Sequence, residues 1–467
     1  MERSDADAAT EMRDVGERDN AGASVSQGSA LLAAARVVGN AGFFVAVLVI
    51  TRALSESGRG QFAFATTSAQ VLAVVAGVGV TQATIVLVAQ LPDRRGELLT
   101  NALLFNGLNA LVISAVFGGV LVLAGQASPR GLGGLGLPLL VTGTWAAAVA
   151  GAGNAFLIGV RRWRAQALAS AAAPWLYALL LIAVATQTPL TVRLSFLLWD
   201  VYYIVWAAAL LGPAIRLQRP GRPSVGLLRR SLGFGVRAWA GSLSQLLNYR
   251  ADQLLMGFLT TEAALAVYVV AVNASEVLLI LPQAASTALL PVLARSRGEN
   301  RTDRTLRLFR VLSLMTLVGM ICFAAAGPLL IPVVFGMRYQ ASVTPFLWLV
   351  AGTLGFVATS VFAPALFAIS APGIASIAQV AALAVDIGLD LVLIPRLGPT
   401  GAAIGSTAAF YTGGLIALRG YRRRVPFSYR ALLPRWGDLA TARTAAAYLT
   451  RSVGRRPSEA AGDSGRG

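Results

Sequence analysis

The chain has 467 residues, 56% of them hydrophobic and only 13% charged, with a mean hydropathy of +0.67. A soluble protein carries about 25% charged residues, so the polar coat for two or three aqueous domains is missing and a soluble multidomain enzyme is excluded. The net charge is +18, all 39 basic residues are Arg, and His is absent, which removes His general bases, Ser-His-Asp triads and His-liganded metals.

Residues 1–28 hold seven Asp/Glu against three Arg and read as a disordered acidic cytoplasmic tail, not a signal peptide. From Ser29 onward, apolar runs of about 20 residues alternate with short polar breaks, the pattern of bilayer spans. Twelve are expected: 29–50, 62–89, 98–124, 135–158, 166–187, 190–212, 235–258, 264–290, 308–335, 342–368, 372–395 and 400–420. They divide into a 29–212 half and a 235–420 half of six spans each, joined by a basic linker at 213–234 and followed by a basic cytoplasmic tail at 421–467. Pro174, Pro282, Pro328 and Pro364 fall inside spans and predict kinks, because neighbouring helices in a bilayer can satisfy the freed backbone groups. Cys322 lies in an apolar run and reads as a packing residue. Trp436–Val453 has the composition of an interfacial amphipathic helix, weakened by Pro434 and Gly437.

The Arg distribution orients the spans. With both termini inside, about 30 of the 39 Arg fall in cytoplasmic segments, and six (Arg52, Arg59, Arg130, Arg193, Arg338 and Arg396) fall in outer loops. That split obeys the positive-inside rule, so the basic charge points to topology and anionic lipid and not to nucleic acid. Arg301, Arg304, Arg307 and Arg310 recur every three residues on one cytoplasmic helix face and are expected to meet lipid heads. A faint repeat relates Leu54–Leu72 to Leu259–Leu278, placing Phe62 on Tyr268 and Gln70 on Glu276. Both segments open the second span of their half, as in a parallel 6+6 transporter with its site between the halves.

Charges inside spans are the functional lead, since each costs about 2.5–3.5 kcal/mol at the bilayer centre. They are Arg36, Asp200, Arg250, Asp252, Glu276, Asp386 and Asp390, while Arg237 reads as interfacial. Arg36, with Asn40 in the same span, either lines a cavity or snorkels to the surface. Arg250 and Asp252 are two residues apart and point to different faces. Glu276 shares a face with Asn273, a pair suited to hydrogen bonding a sugar or an ion. Asp386 and Asp390 stand at i,i+4, where two like charges repel, which would suit proton or cation coupling. The chain has no P-loop, and its loops are too short for an aqueous catalytic domain.

Three stretches resemble the polysaccharide flippases of the multidrug/oligosaccharidyl-lipid/polysaccharide (MOP) exporter superfamily. They are TRALSESGRGQFAFATTSAQVLAVVAGVGVTQATIVLVAQ at 51–90, the 242–295 segment with Arg250, Asp252, Tyr268, Glu276 and Pro291 in order, and LIPRLGPTGAAIGSTAAF at 393–410. The resemblance spans roughly residues 30–420. It implies an all-α membrane fold of about 12 transmembrane helices in two six-helix lobes around a V-shaped cavity. It also implies flipping of undecaprenyl-pyrophosphate-linked oligosaccharide across a bacterial plasma membrane by alternating access, without a cofactor beyond proton or sodium coupling. On that basis Arg36 and Arg250 would bind pyrophosphate, Asp252 and Glu276 would orient them or bind sugar, and Asp386 and Asp390 would couple an ion. Family members often carry amides at this part of the eleventh span. Expected partners are the lipid-linked oligosaccharide, anionic lipids, and glycosyltransferases or a polymerase of the same pathway. The alternatives are a cation-coupled drug antiporter of the same superfamily and a membrane polysaccharide polymerase or ligase.

Overall fold

The computed structural model describes residues 31–123 apart from 33, then 136–295, 298–435 and 437–438. The expected acidic tail at 1–28 and nearly all of the Trp436–Val453 segment lie outside the described residues. The helices are α1 (Ala34–Ala53), α2 (Glu56–Gly77), α3 (Val80–Gln90), α4 (Arg95–Leu123), α5 (Gly136–Gly159), α6 (Trp163–Ala185) and α7 (Val192–Leu217). They continue with α8 (Val225–Leu259), α9 (Glu262–Arg295), α10 (Gly298–Phe335), α11 (Val343–Ala368), α12 (Pro372–Leu397) and α13 (Pro399–Arg424). No strand occurs among the described residues. An α-helix satisfies its own backbone groups within one segment, which is what hydrocarbon demands of a chain this apolar.

Among the described residues ten helices are long and apolar enough to cross a membrane, eleven if the bent pair α2–α3 is one span. The expected count was twelve, and the difference is α8, which has 35 residues but carries Arg229, Arg230, Arg237, Arg250 and Asp252. The outward faces confirm the solvent. On α4, Leu108, Val112 and Val116 recur every four residues at 61%, 60% and 62% exposure, an apolar stripe that water would penalise. The protein is a multi-pass all-α membrane protein.

The second expected span is two helices. Ser55 caps α2, its hydroxyl accepting the Gly58 N–H at 3.1 Å. Thr261 caps α9 in the same way, accepting from the Ala264 N–H at 3.2 Å. The weak repeat thus reappears as two equivalent hydroxyl N-caps, each followed by Glu. After α2, Val78 (φ 39°) and Gly79 (φ 85°) turn the chain left-handed, and α3 leaves at 50°. Gly79 also meets α8: a Cβ there would lie 2.1 Å from the Gly235 carbonyl carbon, and one on Gly235 would lie 2.0 Å from the Gly79 oxygen. A Gly235→Ala variant is therefore expected to force the two backbones apart and cost about 1–3 kcal/mol. Gly226→Ala on the same helix, where a Cβ meets open space, should leave thermal stability unchanged.

The contacts divide the chain into two compact units. The first contains Met1–Ala274, Leu329–Phe346 and Asp386–Gly405. One of its cores packs Ile50, Phe62, Tyr177, Phe196 and Trp199, and another packs Leu87, Leu98, Phe156 and Leu210. In this unit Arg52, at the end of α1, donates to the carbonyls of Val333 and Val334 at the end of α10, at 2.6 and 2.9 Å. Arg338, just past α10, donates to the Arg52 carbonyl at 2.6 Å. Each arginine thus caps the other's helix, supplying positive charge where the helix dipole is negative.

The second unit contains Ser275–Pro328, Leu347–Val385 and Ser406–Gly467. Its core joins Leu312, Val357, Val361, Phe362, Ala378 and Tyr421. The three-residue Arg series does not uniformly face lipid heads. Arg301 donates to the Ala368 carbonyl at 3.0 Å, and Arg310 is 3% exposed in a forked pair with Asp438 at 2.6 and 3.3 Å. The segment after α13 folds back onto the unit, where Arg422 stacks 3.7 Å from the Tyr429 ring and donates to the Phe427 carbonyl. That ordered return supplies the partner which removes Arg310 from the lipid-facing set.

Candidate functional site

Two cavities lie within the first unit. One, of about 60 Å³, is lined by α1 (Phe43, Ile50), α2 (Arg59, Phe62, Thr66, Gln70), α6 (Tyr177), α7 (Trp199), α8 (Arg250, Gln253) and α9 (Asn273). It has room for a few waters or a small anionic group. It presents two guanidinium groups and no carboxylate among its lining residues.

Arg59 was expected in an outer loop. It instead occupies the first turn of α2, 3% exposed, because the Ser55 cap starts that helix well before residue 62. Its Nε donates to the Thr51 hydroxyl at 3.0 Å, and its guanidinium lies 5.9 Å from the Phe62 ring. Its two Nη atoms make no hydrogen bond among the described residues, so this fork remains available to a ligand. The signal was present in the sequence: Arg59, Phe62, Ala63 and Thr66 follow helical spacing back to the cap. Arg250 is half-buried across the cavity and donates to the Tyr249 carbonyl at 3.2 Å.

Asp252, two residues on, faces elsewhere. It is 5% exposed, accepts the Gln253 backbone N–H at 2.6 Å and takes a short hydrogen bond from the Tyr268 hydroxyl. Asp252 therefore ties α8 to α9 and does not line either cavity. Gln253 does line the first and accepts from the Thr67 hydroxyl at 2.9 Å. Asn273 reaches the same cavity, whereas Glu276 belongs to the second unit and is half-buried there.

Arg36 and Asn40 line the second cavity, of about 330 Å³, with Phe43 of α1, Asn154 of α5, Gln166, Ser170 and Pro174 of α6, and Tyr202 and Trp206 of α7. Arg36 is exposed at its mouth and so is not brought beside Arg250. Phe43 is shared by both cavities. An aromatic stripe on α7 runs past both: Trp199 and Tyr203 are 4.4 Å apart by ring centroid, and Tyr202 and Trp206 stack at 6.3 Å with planes 6° apart. The run WDVYYIVW at 199–206 carries that stripe at helical spacing, a signal the in-span charges overshadow. Asp200 points away, 2% exposed, accepting from the Thr142 hydroxyl of α5 at 3.0 Å.

Asp386 and Asp390 are completely buried on α12. Neither oxygen of Asp390 has a hydrogen-bond partner among the described residues, and its carboxylate lies within electrostatic range of Asp386 and Asp252. Gly405 of α13 packs against it, where a Cβ would come within 2.3 Å of Asp390 Oδ1. Among the described residues no group of three or more acidic, Cys or His side chains is set to hold a metal ion.

Residues 170–344 match the family described as polysaccharide biosynthesis protein. No curated protein sequence matches the chain. Its fold is that of solved MOP-superfamily transporters. A lipid II flippase MurJ in an inward closed conformation aligns with TM-score 0.69 and 14% identity, over 92% of this chain and 100% of that one. An inward-facing multidrug resistance MATE family transporter aligns at 0.67 and 14%, over 84% and 98%. A MOP superfamily transporter from Pyrococcus furiosus aligns at 0.59 and 14%, over 85% and 95%. The family match thus covers the middle of the chain, and the likeness of fold covers most of it.

Proposed function

We propose that this MOP-type membrane protein flips an isoprenoid-pyrophosphate-linked oligosaccharide between leaflets of a bacterial plasma membrane by alternating access of two six-span lobes. The observation that carries the reading is the first cavity, with Arg59 and Arg250 in its wall and no carboxylate. A guanidinium remains charged when buried and binds phosphate oxygens through a planar fork. A drug antiporter for organic cations would want the opposite charge in its cavity, and the family match adds weight on the polysaccharide side.

The isoprenoid would stay in lipid while the head group crosses the protein. Both termini face the cytoplasm on this reading, with the Arg-rich loops against anionic lipid and against the enzymes that build or polymerise the glycan. No cofactor is required. Coupling to a proton or sodium gradient would run through Asp386 and Asp390, whose buried carboxylates could hold the cation and compensate their charge.

Reconstitution in vesicles tests this. The protein is expected to translocate a fluorescent pyrophosphate-linked oligosaccharide and not a cationic dye. Asp390→Asn is expected to remove the response to an imposed gradient. Dye transport with no movement of the lipid-linked sugar would reverse the assignment.

A further inference from the structure

We infer that the second cavity is a pyranose-binding subsite, which takes the first sugar ring of the substrate while the arginines of the first cavity hold its phosphates. This rests on the lipid-linked reading above and assigns where the glycan sits.

Three observations carry it. The first is size and character. At about 330 Å³ the cavity falls in the range of small-molecule sites. Apart from Arg36 at its mouth its lining is uncharged, unlike the two-arginine cavity beyond Phe43.

The second is the wall. Tyr202 and Trp206 stack with planes 6° apart, a flat apolar surface of the kind the C–H face of a sugar ring can cover.

The third is hydrogen-bonding capacity. Three lining residues carry a buried polar atom that meets no partner among the described residues: Asn154 Oδ1, Gln166 Oε1 and Trp206 Nε1. A buried polar atom left without a partner is costly, so a ligand that satisfies it gains affinity. They are two acceptors and one donor. A phosphate offers mainly acceptors and an ammonium only donors, whereas sugar hydroxyls offer both and can serve all three after small side-chain rotations. A site built around such groups discriminates strongly against a ligand lacking the matching hydroxyls.

Equilibrium binding to the full-length protein in nanodiscs tests the assignment. The probes are undecaprenyl pyrophosphate, the same carrier bearing one hexose, and inorganic pyrophosphate. The sugar-bearing carrier should bind about tenfold more tightly than the bare one, a difference of about 1.4 kcal/mol. Gln166→Leu and Trp206→Leu should each collapse that ratio toward one while leaving bare-carrier and pyrophosphate affinity unchanged, which also shows that the variants are folded. Arg59→Ala should weaken all three probes together. A wild-type ratio of one, or a ratio that survives both substitutions, overturns the sugar subsite and leaves the lipid-linked reading intact. If wild-type protein binds neither carrier, the parent reading fails and takes the subsite with it.

Discussion

Replacing Arg59 by Ala is expected to lower translocation of a pyrophosphate-linked sugar by about 10- to 100-fold, with no loss of thermal stability. The two effects separate for a physical reason. Hydrogen bonds to charged groups are worth about 1.5–3 kcal/mol, so losing the fork that meets the phosphate costs one to two decades. The free protein, however, keeps a desolvated cation against one hydroxyl and an aromatic ring, with no carboxylate paired to it among the described residues. Removing an uncompensated buried charge relieves the fold of its desolvation cost. Arg59→Lys keeps the charge without the fork and should fall between wild type and Ala. Exposed Arg36, at the mouth of the other cavity, should tolerate Ala far better. Vesicle transport and melting curves on the same preparations decide the matter. Full activity in Arg59→Ala would discard the phosphate role.

Asp438→Ala should destabilise the second unit by about 3–5 kcal/mol, because it strands Arg310 buried and unpaired. The double variant Arg310→Met with Asp438→Ala should recover much of that loss, since neither charge is then buried alone. A double-mutant cycle on melting data measures the coupling.

The same pair predicts an acid response. Burial pushes the Asp438 carboxyl upward, but hydrogen bonds from the Arg310 side chain and the Arg435 N–H outweigh it, leaving the group below the ordinary 3.8. A carboxylate depressed in the folded state contributes stability above its unfolded value and loses that contribution as pH falls through the folded one. Wild-type melting temperature should therefore drop more steeply below about pH 4 than that of Asp438→Asn.

The membrane class, the helical character and nearly every span were legible in the sequence. Run length and hydropathy are local quantities, and lipid permits few alternatives. Sequence and structure part where a helix end or a distant partner matters. Extending the second span back to Ser55 would have moved Arg59 from loop to cavity wall. The left-handed Val78–Gly79 turn bends that span where hydropathy alone reads straight through. Helix α8 is too polar to read as a span by hydropathy: Arg229, Arg230 and Arg237 are exposed on it, while Arg250 lines the first cavity.

The sequence by itself determined that this protein lives in a bilayer, that most of its Arg serve topology, and that the in-span charges need protein or water around them. Only the tertiary structure decided how those charges are grouped. It put Arg250 with Arg59, left Arg36 with amides and aromatics, turned Asp252 onto Tyr268, and buried Arg310 against Asp438. Spacing along one helix sets a residue's face, but which faces meet is set by packing between elements far apart in the chain.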